Sequence, residues 1–133
     1  MSLNTILTEL SLVEDNDEML YDYIISKSDS LIKLDESEFS ENTKIHGCMS
    51  TVYLLVEHLD KGTIIKGYSD SLIVSGILGI LSESVSDISN PNIEEHKILL
   101  DKIHFLLSQN RRLGFKNIIN KIYVRLNCQY WNL

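Results

Sequence analysis

Apolar residues near the start of the chain recur every three or four positions, which is the spacing of one face of an α-helix. A first group has this spacing and predicts a short amphipathic helix: Leu3, Ile6, Leu7 and Leu10. The polar break "EDNDE" then offers Asn16 or Asp17 as the N-cap of a second, longer helix. The stripe of that helix consists of Leu20, Tyr23, Ile24 and Leu31. The chain is therefore expected to open with two helices.

The period of the pattern changes to two after the polar segment "DESEFSENTK", which we interpret as a loop. Between Ser50 and Ile65 the pattern has a period of two, with Val52, Leu54 and Val56 at every second position of the first strand. Alternation of this kind is typical of a half-buried strand, and β-branched residues return in "TII" after the turn signal "DKG". The segment therefore predicts a β-hairpin.

Helical spacing returns in the second half of the chain. The segment "SDSLIVSGILGILSESV" starts with two N-cap types, Ser69 and Asp70, and predicts a helix buried on most sides. We expect Gly76 and Gly79 to let another element approach its backbone closely. A fourth helix is predicted over "IEEHKILLDKIHFLLS", and a fifth begins near Asn110 with one apolar stripe: Phe115, Ile118, Ile119, Ile122 and Leu126. Five helices and a small antiparallel sheet predict a single α+β domain over residues 1–133.

Composition narrows the class of protein. The 133 residues are 44% hydrophobic and 23% charged, as in an ordinary globular domain. The longest apolar segment, residues 72–81, is about half of a bilayer span, and no basic stretch with an apolar core begins the chain. We therefore expect a cytoplasmic protein that does not enter a membrane. Two cysteines and four histidines without ligand spacing predict neither a disulfide framework nor a metal site, and no cofactor is expected.

The formal net charge of -7 argues against binding to a nucleic-acid backbone, which needs an excess of Lys and Arg. The charge is also unevenly distributed. Residues 1–60 carry thirteen acidic against three basic side chains, and residues 61–133 carry six against nine. Two interpretations remain open, namely ordinary solvated helix faces or a partner surface that steers association.

The segment "KIHGCMSTVYLL" contains the candidate reactive residue, Cys48. A free cysteine is usually a small buried hydrophobe, but Cys48 follows Gly47 on a predicted turn and should be presented by that turn. Cys128, near the end of the last helix, is interpreted as structural. His46 could act as the base of a Cys-His pair, although a local histidine without a catalytic role is the preferred interpretation.

The segment "NRRLG" places Arg111 and Arg112 at the start of the last helix, where the helix dipole disfavours cations. Two interpretations are open. The arginines are either a solvated charge pair without consequence, or a guanidinium acts with free helix N–H groups to hold a thiolate, persulfide or carboxylate.

Three segments taken together indicate a family: "GCMSTVY" at 47–53, "GYSDSLIVSGILGIL" at 67–81 and "NRRLGF" at 110–115. In this order and at these separations they resemble the SufE/CsdE family of sulfur acceptors. That family has a Gly-Cys-Gln-Ser turn leading into a strand with Trp, a Ser-Asp-Ala segment opening an apolar helix, and a Ser-Arg motif before Gly. The resemblance covers nearly the whole chain. It implies a fold similar to that of the U-type cluster scaffolds, without their three ligand cysteines.

The resemblance implies a function in iron-sulfur cluster assembly. Family members accept sulfane sulfur as a persulfide from a pyridoxal-phosphate cysteine desulfurase of the SufS or CsdA type, stimulate that enzyme, and relay the sulfur to a SufB-type scaffold. Such a protein is a partner of an enzyme and not a stand-alone enzyme. Cys48 matches the acceptor cysteine, and Asp70 and Arg111 match family residues near it. Neighbours expected to bind or position the sulfur are Gly47, Ser50, His46 and Met49.

Met49, Tyr53 and Asn110 depart from the family's Gln, Trp and Ser, which leaves details of partner docking open. Two hypotheses concern the thiol itself. Arg111 or the helix N-terminus is expected to lower the pKa of Cys48. The loop is expected to be withdrawn in the free protein, with Met49 and Ile45 as apolar cover, and extended in the complex.

Two other functions stay open at this point. One is a regulator that binds a desulfurase but carries no sulfur. The other is a stand-alone thiol enzyme that uses Cys48 and His46, although no third group that would orient the histidine can be identified.

Overall fold

The computed structural model describes residues 3–59, 62–86 and 93–125, and five α-helices and one sheet form this part of the chain. The helices are α1 (Leu3–Val13), α2 (Asp17–Ser26), α3 (Leu72–Ser86), α4 (Ile93–Leu106) and α5 (Gln109–Arg125). The strands are β1 (Ile32–Lys33), β2 (Val52–Leu59) and β3 (Gly62–Ser69). The predicted α+β class with five helices is confirmed. None of these described helices combines the length and hydropathy of a membrane span.

The sheet has the strand order β1-β3-β2. Strands β2 and β3 pair in antiparallel register from Val52 opposite Ser69 to Leu59 opposite Gly62, which confirms the predicted hairpin. β1 pairs with β3 in parallel, with Ile32 opposite Lys66, so the sheet is mixed, whereas the sequence predicted an antiparallel one. Two residues are too few to show an alternating pattern, so β1 left no signal in the sequence.

Helix α2 begins as predicted and ends earlier than predicted. Asn16 is its N-cap, and the Asn16 side-chain oxygen accepts a hydrogen bond from the Met19 backbone N–H at 3.0 Å. After Ser26 the chain continues as a 3₁₀ helix, Lys27–Ser30, which leads to the buried Leu31. The predicted apolar stripe is therefore buried at Leu20, Ile24 and Leu31, but it is not carried by one continuous α-helix.

Two glycines of α3 lie directly against the end of α2 and the turn that follows it. A Cβ atom on Gly76 would lie 1.9 Å from the Ile24 carbonyl oxygen, and one on Gly79 would lie 1.9 Å from the Lys27 carbonyl oxygen. The predicted close approach at both glycines is confirmed. The contact fixes the position of α3, and therefore of its N-terminus, against the rest of the core.

The N-cap of α3 differs from the prediction. The Ser71 hydroxyl accepts a hydrogen bond from the Val74 backbone N–H at 3.3 Å, so Ser71 is the cap residue. The sequence predicted Ser69 or Asp70, which was wrong by one or two positions. Both side chains are used in other ways: Ser69 Oγ accepts from the Ser71 N–H at 3.1 Å, and Asp70 contacts the loop that contains Cys48.

A buried lysine connects three helices. Lys27 is 8% exposed, and its Nζ atom lies 3.1 Å from Glu83 Oε2 and 3.6 Å from Glu9 Oε1. The Tyr23 hydroxyl donates a hydrogen bond to Glu9 Oε1 at 3.1 Å, and burial with this bond raises the pKa of Tyr23 well above its ordinary range. A buried charge needs such partners, since an unpaired one is strongly destabilising. Nothing in the sequence pattern distinguished Lys27 from a surface lysine.

Helix α5 has the predicted apolar stripe on its core side. Phe115, Ile118, Ile119 and Ile122 are all buried, and Tyr123 is buried beside them. Leu126 and Cys128 lie outside the described residues, so their predicted roles stay predictions. The stripe anchors α5 in the core, and the neighbouring face of its first turns forms one wall of the site described next.

Candidate functional site

Cys48 lies in a short loop closed by a narrow stem. The Ile45 N–H donates to the Val52 carbonyl oxygen at 2.9 Å, and the Leu54 N–H donates to the Thr43 carbonyl oxygen at 2.7 Å. These bonds pair the segment before the loop with β2, so residues 46–51 form a six-residue loop. The sequence predicted a loop running into the strand but not this pairing. The stem means that the loop can move while both of its ends stay fixed.

Gly47 gives the loop its turn. Its φ angle is +80°, in the region that favours glycine, as the predicted glycine-permitted turn requires. A Cβ atom at this position would also lie 2.5 Å from Asn117 Nδ2. Gly47 is therefore required both by the backbone conformation and by the contact with α5.

The Cys48 thiol faces α5 and is half-buried. A Cβ atom on Gly114 would lie 2.8 Å from Cys48 Sγ, so the absence of a side chain there lets the thiol rest on the helix. The thiol borders a cavity of about 20 Å³ with a largely apolar lining: Val74, Ile77, Leu107, Phe115 and Ile118. The turn at Gly47 directs the cysteine onto α5, which agrees with the loop position expected for the free protein.

Burial raises the pKa of the Cys48 thiol above its ordinary value. The sequence predicted that Arg111 or the helix N-terminus would lower it, and for this conformation that prediction was wrong. A thiolate against apolar side chains loses its hydration, and no opposing charge compensates sufficiently. The thiol in this position is therefore mostly protonated at neutral pH and weakly nucleophilic.

The two arginines of α5 have different roles. Arg111 lines the cavity, and its Nη1 atom donates a 3.4 Å hydrogen bond to Ser71 Oγ at the start of α3. Arg112 Nε donates to the carbonyl oxygens of His104 at 3.1 Å and Leu107 at 3.2 Å. The two carbonyls lie in the last turn of α4 and just after it, so Arg112 caps the end of that helix. Only Arg111 belongs to the site. The interpretation of the arginines as a solvated charge pair without consequence was wrong for Arg112.

Asp70 holds the end of the loop. Its Oδ1 atom accepts a hydrogen bond from the Thr51 backbone N–H at 3.0 Å. Ser50, next to this bond, lines the cavity together with Asn110, which stands where the family motif has Ser. The structure thus brings Asp70, Ser50 and Arg111 around the position of Cys48, as the resemblance implied.

His46 and Met49 are not arranged as the more specific hypotheses required. The His46 ring Nε2 lies 3.1 Å from Glu41 Oε2, and among the described residues no hydrogen bond joins it to Cys48. Met49 lines the cavity beside the thiol, although its side chain is 75% exposed, and Ile45 is part of the core. Most of the residues around the thiol belong to α3 and α5, whereas the sequence predicted Met49 and Ile45 as its cover.

Two residues of α5 that the sequence did not single out bind backbone carbonyls in the segment 42–46. Asn117 Nδ2 donates to the His46 carbonyl oxygen at 2.8 Å, and Lys121 Nζ donates to the Asn42 carbonyl oxygen at 2.7 Å. Polar residues on a helix ordinarily face solvent, and no motif includes these two. Their position, three and seven residues after Gly114, is the only signal that could have marked them.

Tyr53, which stands where the family has Trp, lies in an aromatic stack beside the stem. Its ring is parallel to that of Phe39, with centroids 4.3 Å apart, and Phe39 also contacts Tyr68 at 5.1 Å. The substitution therefore keeps a large aromatic contact on this side of the hairpin. Within the described ranges, no group of three His, Cys, Asp or Glu residues could hold a metal ion.

Comparisons with known proteins identify one family. The SufE model, described as an Fe-S metabolism associated domain, matches residues 4–126. The chain is also similar to the cysteine desulfuration protein SufE of Plasmodium falciparum (isolate 3D7), with 35% identity over 102 residues. That alignment covers 68% of this chain and 39% of the relative, so the chain spans less than half the length of that curated protein.

Proposed function

The chain belongs to the SufE family of Fe-S metabolism associated domains, and we propose that it carries sulfane sulfur for iron-sulfur cluster assembly. In this proposal Cys48 accepts the sulfur as a persulfide from a pyridoxal-phosphate cysteine desulfurase of the SufS or CsdA type. The protein stimulates that enzyme and relays the sulfur to a SufB-type scaffold. The name of the relative, a cysteine desulfuration protein, supports a desulfurase as the partner.

The observation that carries the proposal is the position of Cys48. A single thiol lies at the turn of a loop whose two ends are fixed, next to a cavity of about 20 Å³. A carrier needs one thiol that can be exposed to two partners in turn and shielded between them, because free persulfides are lost to reductants. The cavity exceeds the roughly 10–15 Å³ that a site needs to hold one water molecule, so a group of about that size fits beside the thiol.

The chemistry is a thiolate displacement that needs no second residue to resolve a disulfide. The Cys48 thiolate attacks the terminal sulfur of the desulfurase persulfide. A bond forms between Cys48 Sγ and that sulfur, while the bond from the terminal sulfur to the desulfurase cysteine breaks. The desulfurase cysteine leaves as a thiolate and the sulfane sulfur changes carrier, so atoms and electrons balance without an oxidant or reductant.

The other site residues are proposed to position this step. Asp70 fixes the end of the loop through the Thr51 N–H. Ser50 and Arg111 line the space beside the thiol, where they contact the sulfur that Cys48 receives. Gly47 allows the turn, and the exposed Met49 is a contact for the desulfurase. His46 contributes its backbone carbonyl and not its ring.

Transfer requires the loop to leave the position seen here. The docked thiol is half-buried and has a raised pKa, so it cannot meet a second protein's persulfide as an effective nucleophile. We propose that the desulfurase binds the protein with the loop extended. Hydrogen exchange tests this step: amides of the loop, residues 46–51, should lose protection when the desulfurase binds, while the stem amides of Ile45 and Leu54 keep theirs. Unchanged or increased protection would contradict it.

The proposal is tested by turnover of L-cysteine by a SufS-type or CsdA-type desulfurase. The wild type and the matched control Cys128→Ser should accelerate turnover, and Cys48→Ser should not. Full stimulation by Cys48→Ser would replace the carrier by a regulator that transfers no sulfur. Failure of the wild type to stimulate either desulfurase would contradict the proposed partner. Hydrolysis of an ester or peptide by the protein alone would favour the Cys-His enzyme instead.

A further inference from the structure

One stripe of α5 follows the segment that contains Cys48. Gly114, Asn117 and Lys121 are three and four positions apart, so they lie on one face of the helix. Gly114 lies under Cys48 Sγ, Asn117 Nδ2 donates to the His46 carbonyl oxygen, and Lys121 Nζ donates to the Asn42 carbonyl oxygen. As the residue number along α5 rises, the residue number of its partner falls. The segment 42–48 therefore runs antiparallel to α5.

The three contacts hold different parts of this segment. Lys121 binds Asn42, which precedes the hydrogen-bonded stem, so its contact does not restrain the loop tip. Asn117 binds His46 inside the loop, and the same amide group lies against Gly47, where a Cβ would be 2.5 Å from Nδ2. Gly114 contacts Cys48 itself. Asn117 is therefore the hydrogen-bonding residue of the stripe that acts directly on the loop.

We propose that this stripe of α5 is the dock for the Cys48 loop and that Asn117 is the positioning residue that holds the loop closed. The hydrogen bond from Asn117 to His46 must break before the thiol can move away from Gly114. Asn117 thereby sets how often Cys48 is released. The inference rests on the proposed function only in naming sulfur transfer as the step that this release serves.

The expected increase in the population of the released loop can be estimated from the loss of one hydrogen bond. If Asn117 contributes an ordinary net hydrogen bond, removing it raises the population of released loop about fivefold. The change is confined to the loop, because Asn117 is partly exposed and its described partner is a loop carbonyl. Alanine is also a better helix former than asparagine, so α5 is not expected to weaken.

The experiment measures the alkylation rate of Cys48 by iodoacetamide in the Cys128→Ser background, without a desulfurase. Asn117→Ala should raise the rate about fivefold, as estimated from the loss of one hydrogen bond. Asn117→Asp should raise it at least as much, because a carboxylate has nearly the same size but cannot donate to the His46 carbonyl. In both variants the pH midpoint of alkylation should fall, since released thiol no longer has a pKa raised by burial.

Asn120 provides the matched control. It lies one turn further along α5, and its side chain makes no hydrogen bond with any other described residue. Asn120→Ala and Asn120→Asp should leave both the rate and the pH midpoint unchanged. Equal rates in wild type and both Asn117 variants would overturn the inference, as would an equal increase in the Asn120 variants. Because no desulfurase is present, these outcomes are independent of whether Cys48 accepts sulfur.

Discussion

Cys48 and Gly114 touch across the site, so closely that a Cβ atom on Gly114 would lie 2.8 Å from Cys48 Sγ. The reactive residue is thus stored against the one side-chain-free position of α5 that faces it. This contact explains the half-burial of the thiol, and that burial raises its pKa. The docked loop therefore keeps the thiol protected and weakly reactive, whereas the released loop exposes a reactive thiol.

Gly114→Ala should shift the loop toward the released state. The added methyl group needs the space of Cys48 Sγ. The loop can move because its tip is held by single hydrogen bonds to Asn117 and Asp70, which are weaker than the paired stem. Alkylation of Cys48 should become several-fold faster. The free energy of unfolding should change by no more than about 1 kcal/mol, since better helix propensity offsets the lost contact. An unchanged alkylation rate would show that the contact does not control access to the thiol.

The same substitution at Gly76 should strongly lower the stability of the fold, unlike Gly114→Ala. Its Cβ would lie 1.9 Å from the Ile24 carbonyl oxygen, a backbone atom of α2 that cannot move aside as a flexible side chain could. Gly76→Ala should lower the free energy of unfolding in urea by about 3 kcal/mol or more. Gly114→Ala is the matched control, because it adds the same atom in a helix next to a movable loop. Equal stability of the two variants would contradict the described packing of α3.

Alkylation of Cys48 should depend on pH as expected for a buried thiol. In the native protein the midpoint should lie above that of the same cysteine in urea, where the pKa is ordinary. Because the raised pKa belongs to the folded state, its stabilising contribution is fully present below about pH 8.5 and is lost as the pH rises toward the raised value. A native midpoint at or below that in urea would restore Arg111 as a group that lowers the pKa.

Alanine substitutions of Arg111 and Arg112 should have different effects on stability and on sulfur acceptance. Arg112→Ala removes the cap of α4 and should cost about 1–2 kcal/mol of unfolding free energy, while leaving sulfur acceptance by the folded protein unchanged. Arg111→Ala should cost less, since its bond to Ser71 is long at 3.4 Å, but it should slow sulfur acceptance. Slower acceptance in Arg112→Ala at full folding would contradict this division.

The elements with a long periodic pattern could be predicted from the sequence. The stripe of α5, the β2-β3 hairpin and the close contacts of Gly76 and Gly79 all follow from spacing or residue type. The strand β1 could not be predicted, since it has two residues and depends on β3 for pairing.

The sequence could predict which residues form the candidate site, but not how they are arranged. The motifs marked Cys48, Asp70 and Arg111, which the structure places near one another. They could not show that the withdrawn thiol rests on α5, because that contact depends on Gly114, which lies sixty-six positions later in the chain. Burial, and with it the direction of the pKa shift, is a tertiary property. Asn117 was missed for the same reason.

The mass of the intact protein after incubation with a cysteine desulfurase and L-cysteine tests the central claim most directly. The wild type should gain about 32 Da for each sulfur atom bound, and a reductant should remove the gain. Cys128→Ser should gain the same mass, and Cys48→Ser should gain none. No gain in the wild type, or an equal gain in Cys48→Ser, would contradict the assignment of Cys48 as the sulfur acceptor.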